Sequence, residues 1–153
     1  MKTQKISILI LIVIMLSLFI TACGTPREPM DVNVFISVME AEGYEVMDLA
    51  EGGSDITYHD LGIATDNYMI IFGELISTQY AINAFNGMRA GIENGQGSTR
   101  AYRSVNAANH SLFEQTSAGI FSYVYRVDNT ILYVRADVSH RDHVRTLIDR
   151  ITE

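Results

Sequence analysis

The stretch 120-IFSYVYRVDNTILYVRAD-137 decides the fold of this chain. Two apolar, alternating segments flank Asp128-Asn129, and aspartate and asparagine tolerate the positive φ of tight two-residue hairpin turns. With this pair as the turn, one face of the hairpin is apolar and is expected to pack against helices. The predicted facing pairs on that side are Val127 with Thr130, Tyr125 with Leu132, Tyr123 with Val134 and Phe121 with Ala136.

The same order of strand, Asp-Asn turn, strand, serine and helix occurs once earlier in the chain. Asp66-Asn67 precedes Asp128-Asn129 by the same number of positions as Ser77 precedes Ser139. The pattern fits two pseudo-repeated ββα units in one antiparallel sheet. Hairpin preferences shared by unrelated segments would produce the same pattern, so both explanations stay open.

Three segments place apolar residues on one helical face, with the spacing i, i+3, i+4, i+7. They begin at Val32, Ala81 and Val144. The predicted N-caps are Asp31, Ser77 and Ser139. Further strands are predicted over 44–49, 61–65, 68–76, 100–106 and 112–116. The chain is therefore predicted to be an α+β domain, with an antiparallel sheet of about 5–7 strands and three helices.

The second face of the predicted sheet is also apolar. If Ile70 and Phe72 face the helices, alternation turns Met69, Ile71 and Leu75 to the other side. One layer of three helices cannot bury both sets, so either a helix crosses to the second face or a partner or second copy covers it. The predicted binding face consists of Met69, Ile71, Leu75, Tyr133 and Arg135.

Near its start the chain carries Lys2 and Lys5, an apolar run over 6–20, and then Ile20-Thr21-Ala22-Cys23. The segment resembles the signal peptides of bacterial lipoproteins, in which a branched aliphatic residue and two small residues precede a cysteine. The resemblance implies diacylglycerol on Cys23, cleavage before it and usually a further acyl group on the new amine. An ordinary secretory signal shares the charged and apolar regions, whereas the run is short for a transmembrane helix.

These features predict a signal peptide over 1–22, a lipid-anchored tether over 23–30, and one extracytoplasmic domain over 31–153. The expected location is the extracytoplasmic face of a bacterial cell membrane, with the lipid on Cys23 as the membrane contact. The formal net charge is −7, and both lysines fall in the signal. The acidic domain therefore lacks the basic surface that binds nucleic acid.

A second resemblance covers most of residues 31–137. Gly43-Tyr44 follows the first helix, Ala64-Thr65 with Tyr68 begins a strand, and an aliphatic strand follows Asp128-Asn129. In these features the chain is similar to the small, mostly uncharacterised lipoproteins of Gram-positive bacteria. The resemblance implies a fold and no activity.

Candidate catalytic and metal-binding groups are few. His140 and His143 lie one helical turn apart near Asp137 and Asp142, so they are the best candidate metal ligands. The glutamate of an H-E-x-x-H motif is missing. His59-Asp60 could join a serine, Ser54 or Ser111, but no nucleophile motif surrounds either serine. No cofactor is predicted.

The interpretation that fits best is a non-catalytic binding or accessory module of the cell envelope. Its partner is expected to be another envelope protein, a cell-wall ligand or a second copy of the chain, held on the apolar sheet face. The alternative is a metal-dependent or hydrolytic envelope enzyme that uses the His140 and His143 region.

Overall fold

A seven-stranded antiparallel sheet forms the centre of the structure, a computed structural model that describes residues 26–50, 55–95 and 100–153. The strands are β1 (Met47–Asp48), β2 (Thr57–Ala64), β3 (Tyr68–Leu75), β4 (Arg100–Asn106), β5 (His110–Ser117), β6 (Ile120–Val127) and β7 (Thr130–Asp137). They lie side by side in the order β1-β2-β3-β7-β6-β5-β4.

Three α-helices accompany this sheet within the described residues. They are α1 (Val32–Ala41), α2 (Thr78–Gly95) and α3 (Arg141–Thr152), and a 3-10 turn over Val138–His140 leads into α3. The predicted α+β class, with three helices and an antiparallel sheet, is confirmed.

The predicted helix caps are only partly correct. The Asp31 carboxylate accepts the Asn33 N–H at 2.7 Å, and Ser77 Oγ accepts the Tyr80 N–H at 3.4 Å. Ser139 does not cap α3, because the 3-10 turn places it one residue too early and its hydroxyl bonds the ring of His140 instead.

The register predicted for the β6–β7 hairpin is confirmed in all four facing pairs. The turn residue with positive φ is Asp128, at 47°, whereas Asn129 does not have a positive φ. Asn129 instead forms hydrogen bonds to the end of β3. Its side-chain amide donates to the Leu75 carbonyl at 3.0 Å, and its own carbonyl accepts the Leu75 N–H at 2.9 Å. The turn is therefore tied to the end of β3.

Helices cover the sheet on both sides. Phe35 of α1 and Leu147 of α3 pack on one face in a core with Phe72, Leu132 and Val134. On the opposite face α2 buries a second, smaller cluster. That cluster comprises Leu75, Ala81, Phe85, Ile92, Phe113, Val124 and Ile131. Of the alternatives left open by the sequence, a helix that crosses to the second face is the one that the structure contains.

This crossing also bears on the internal repeat. The two Asp-Asn hairpins lie next to each other at the centre of the sheet, in the order β2-β3-β7-β6. The helices that follow them go to opposite faces, α2 to one and α3 to the other. The likeness of the two units therefore extends to their strands and to the position of their turns, but not to the turn conformation or to the placement of their helices.

The strand predicted over 44–49 is reduced to the two residues of β1, which pair with Leu61 and Gly62. The strand predicted over 112–116 is longer, running from His110 to Ser117. Ala118 and Gly119 link it to β6, both with positive φ, at 50° and 80°. Two consecutive positive φ values are typical of a type I′ hairpin turn.

The chain before α1 lies against the domain. The Met30 N–H donates to Thr130 Oγ1 at 3.1 Å, and the Met30 side chain is part of the larger core. The backbone of Arg27 exchanges two hydrogen bonds with the Asn109 side chain, at 3.2 and 2.6 Å. The last part of the predicted tether is thus docked on the domain, while Cys23 lies outside the described residues. No helix in the described part of the chain is long and apolar enough to span a bilayer.

Replacing Asp128 with Val is expected to destabilise the domain by about 1 kcal/mol or more, because a β-branched residue is strained at positive φ. Denaturant unfolding of the full chain measures the change in the free energy of unfolding. Asp66→Val is the matched control, since Asp66 occupies the equivalent turn position without a positive φ. Equal losses at the two turns would contradict the assignment of strain to Asp128.

Candidate binding face

The sheet face beneath α2 is covered on one half and open on the other. One row of cross-strand neighbours shows where the cover ends: Phe113, Val124, Tyr133, Ile71, Gly62 and Met47. Phe113 and Val124 are fully buried by the helix. Tyr133 and Ile71 are half-buried, and Met47 at the edge is 44% exposed. The same apolar row therefore passes from a buried cluster to an exposed surface.

Gly62 lets a second apolar side chain join this surface. A Cβ added at Gly62 would lie 2.9 Å from Leu49 Cδ1 and 3.5 Å from Ile71 Cγ1. Leu49 therefore crosses the sheet over the glycine toward Ile71, although it is itself 42% exposed. Any side chain at position 62 would displace it and interrupt the apolar surface.

We call this surface the open face. It is formed by Met47, Leu49, Met69, Ile71, Tyr133 and Arg135. Four of the five residues predicted for a binding face belong to it. Leu75 does not, because it is only 4% exposed and packs beneath α2 with Phe85 and Ile131. The correction follows from the crossing helix, which covers the end of β3 near Leu75 and leaves the end near Met69 open.

A cavity of about 420 Å³ adjoins the open face at the end of α2. The helix contributes Met88 and Ile92 together with two glycines, Gly91 and Gly95, and the sheet contributes Tyr133 and Arg135 among others. A Cβ added at either glycine would meet no atom within 4 Å. Tyr133 and Arg135 thus border both the open face and the cavity. A partner could therefore contact the open face and the cavity at the same time.

Charge is distributed unevenly across the open face. Arg135 pairs across the strands with Met69, is exposed, and forms no ion pair with any described residue. At the opposite side, on β2, burial raises the pKa of Asp60, and the nearby Asp48 carboxylate raises it further. The face therefore carries a cation on β7 and one acidic group, Asp60, on β2, because Asp48 alternates with Met47 and Leu49 and lies on the other face of the sheet.

The candidate metal ligands lie on the other side of the sheet. His143 Nε2 is hydrogen-bonded to the Tyr68 hydroxyl at 3.2 Å, and that hydroxyl is also hydrogen-bonded to Tyr44. The ring of His140 lies 6.1 Å from that of Tyr68. Burial raises the pKa of the Tyr68 phenol, and the bond to Tyr44 raises it further. In the described part of the chain no three His, Cys, Asp or Glu side chains are grouped to hold a metal ion.

The other candidate set is not brought together. His59 lies on β2, 3.9 Å from Glu74, whereas Ser111 is buried on β5, four strands away across the sheet. Ser54 lies outside the described residues.

The sequence did not identify Met47 and Leu49 as surface residues of this face. A signal was present, because alternation over 44–49 separates these two from Tyr44 and Val46, which pack against the larger core. Their place opposite Gly62 depends on pairing with β2, which no local pattern specifies.

Comparisons with known proteins identify a fold. No protein-family model matches the chain, and no curated protein matches it. Among solved structures, it is similar to a GTP binding regulator from Thermotoga maritima, with 16% sequence identity and a TM-score of 0.51. The alignment covers 83% of this chain and 91% of the other. At this identity the likeness supports the α+β architecture and nothing about activity.

Truncating a residue beneath α2 should cost far more than truncating one on the open face. Leu75→Ala is expected to lower the free energy of unfolding by about 2 to 5 kcal/mol, as for other buried leucines. Ile71→Ala is expected to cost about 1 kcal/mol, because the side chain is already partly in water. Denaturant unfolding of both variants gives the comparison. Equal losses would mean that Ile71 is core and that the open face is not open.

Proposed function

We propose that the protein is a lipid-anchored extracytoplasmic module that binds another envelope protein through its open face and catalyses no reaction. The observation that carries the proposal is the row of cross-strand neighbours that leaves the cover of α2 and continues as exposed apolar surface. Contiguous apolar surface of this kind typically marks an interaction site.

The composition of the open face suits a protein partner. Methionine, tyrosine and arginine are enriched at the centres of protein interfaces, and Met47, Met69, Tyr133 and Arg135 supply them here. The side chains stand on paired strands, so little conformational freedom is lost when a partner docks. A partner surface that is apolar with an acidic group opposite Arg135 would complement it.

The edge of the sheet favours docking on the face rather than strand addition. β1 forms this edge and has only two residues, which gives an incoming strand little to pair with. The partner is therefore expected to lie across β2, β3 and β7.

The docked N-terminal segment supports an orientation in which one end of the open face points away from the membrane. Met30 is bonded to Thr130 at the start of β7, so the chain reaches the domain at that end. Arg135 lies further along the same strand, about 17 Å away at roughly 3.4 Å per residue. With the lipid on Cys23, the end of the open face that holds Met69 and Arg135 would point away from the bilayer.

A photo-crosslinking residue at Met47 is expected to capture one partner in the bacterium that makes the protein. Adding Ile71→Asp should abolish that adduct, because the aspartate must be desolvated at the interface. The half-buried position should lower the thermal unfolding midpoint by several degrees without unfolding the domain. The same crosslinker at Asp149, exposed on α3, is the matched control. An adduct that survives Ile71→Asp, or that forms equally at position 149, would contradict the proposal.

The anchor has its own test. Cys23→Ser is expected to leave the precursor uncleaved and without label after growth on radioactive fatty acid, because the thioether needs the sulfur atom. Retained labelling would exclude the lipid anchor and leave the open face unaffected.

A further inference from the structure

The two edges of the sheet differ. β1 has only two residues, whereas β4 at the opposite edge has seven and pairs with β5 along its whole length without a register shift. Edge strands are usually protected against further pairing by shortness, proline, lysine or a bulge. β4 contains none of these, and Tyr102 in its middle is 65% exposed. The edge formed by β4 is therefore open to another strand.

The hairpin with β5 shows which backbone groups of β4 point outward. The Ala107 N–H donates to the His110 carbonyl at 2.9 Å, so this facing pair is a hydrogen-bonded one. In an antiparallel ladder every second facing pair exchanges such bonds. Tyr102, Ser104 and Asn106 belong to the alternate pairs, and their N–H and C=O groups therefore point away from β5. No described strand lies on that side of β4.

Two cavities border β4, one on each face of the sheet. The first, of about 260 Å³, lies between β4 at Ser104 and an apolar wall formed by Ile82 and Phe85 of α2. The second, of about 460 Å³, is lined by Arg103 of β4 and by Arg141 at the start of α3. The helices α2 and α3 lie on opposite faces. Side chains of a strand added beside β4 would therefore point alternately toward the two cavities.

The cavity on the α3 side is rich in arginine. Arg103 and Arg141 line it, and Glu114 is the only acidic residue among its described lining. Both carboxylate oxygens of Glu114 already accept from Arg145, at 2.7 Å each. Neither Arg103 nor Arg141 forms an ion pair with a described residue. A strand with a carboxylate opposite Arg103 would complement this charge.

A second copy of the chain fits this edge less well. In an antiparallel pair of two fully overlapping β4 strands, Arg103 of each copy would face Arg103 of the other. Like charges directly opposite each other destabilise a sheet. Both copies would also carry a net charge of −7, which opposes their approach.

We propose that β4 binds an extended segment of a partner protein as an additional antiparallel strand, with a carboxylate opposite Arg103 and apolar side chains on the α2 side. Main-chain hydrogen bonds to Tyr102, Ser104 and Asn106 supply the affinity, and the two cavities supply the specificity. Side chains opposite these three residues lie on the α2 side, because the Tyr102 ring itself stacks on Phe113 beneath α2, at 6.4 Å between centroids.

This edge is separate from the open face. β6 and β5 lie between β4 and β7, the nearest strand of the open face. The distance is about 14 Å at roughly 4.8 Å per strand. A partner on the open face and a strand on β4 can therefore be bound at the same time, and either proposal can fail without the other.

The experiment follows backbone amide exchange by NMR in the full chain, labelled with ¹⁵N, in a non-ionic detergent. The probe is the acetylated and amidated peptide VTVDVTV, whose aspartate can face Arg103 while its valines face Tyr102 and Ser104. With the peptide at about ten times its Kd, exchange of the Tyr102 and Ser104 N–H groups should slow about tenfold, because a bonded amide exchanges only from the free state. The Val105 N–H points toward β5 and is the internal reference.

A matched control is the same peptide N-methylated at its third and fifth residues, which removes the donors that face Ser104 and Tyr102. It should give no protection. Ser104→Pro removes an outward N–H without breaking a bond to β5, and it should abolish the response to the original peptide. Ile71→Asp, on the open face, should leave the response unchanged. A lysine in place of the peptide aspartate should weaken binding about threefold, and Arg103→Gln should remove that difference.

Three results would overturn the proposal. The first is unchanged exchange at Tyr102 and Ser104 in millimolar peptide, and the second is equal slowing by the N-methylated peptide. The third is protection of the same two amides that rises with protein concentration in the absence of peptide, which would assign the edge to a second copy.

Discussion

The burial of β6 on both of its faces is the constraint on which the rest of the domain depends. Every residue from Phe121 to Val127 is buried, so the strand needs apolar cover above and below. Tyr123 and Tyr125 face α1 and α3, while Val124 faces α2. The chain meets this demand by sending α2 across the sheet between β3 and β4. The open face is a consequence, since one helix is too narrow to cover seven strands.

Local patterns predicted the hairpin register, the helical segments and the α+β class, because alternation, turn residues and capping act over a few positions. They did not predict which sheet face each helix covers. An amphipathic stripe says that a helix has a buried side, but α2 and α3 carry equivalent stripes and lie on opposite faces. Leu75 was assigned to the binding face for this reason.

The open face and the buried side chain of Arg126 both depend on contacts between residues distant in sequence. Leu49 reaches Ile71 only because Gly62 lies between them in the sheet. In the sequence, Arg126 occupies an ordinary polar position of an alternating strand. It becomes a buried cation because the loops around Asn109 and Asp128 enclose its guanidinium. Burial of a charge is a property of the assembled fold, so no short stretch of sequence signals it. The candidate histidines show the reverse, since their spacing suggested metal chemistry and the fold gives one of them a tyrosine partner.

The docked segment around Arg27 and Met30 has a mechanical consequence. A pull on the chain from its N-terminal side is borne first by the backbone bonds of Arg27 to Asn109 and by the bond from Met30 to Thr130. These three hydrogen bonds and the buried Met30 side chain hold the segment, whereas each central strand is held by a full ladder on either side. Tension would therefore detach this segment before any strand separated from the sheet. The released residues would lengthen the chain and so reduce the force on the domain. The sheet is in this way protected from a force applied to the N-terminal side of the chain.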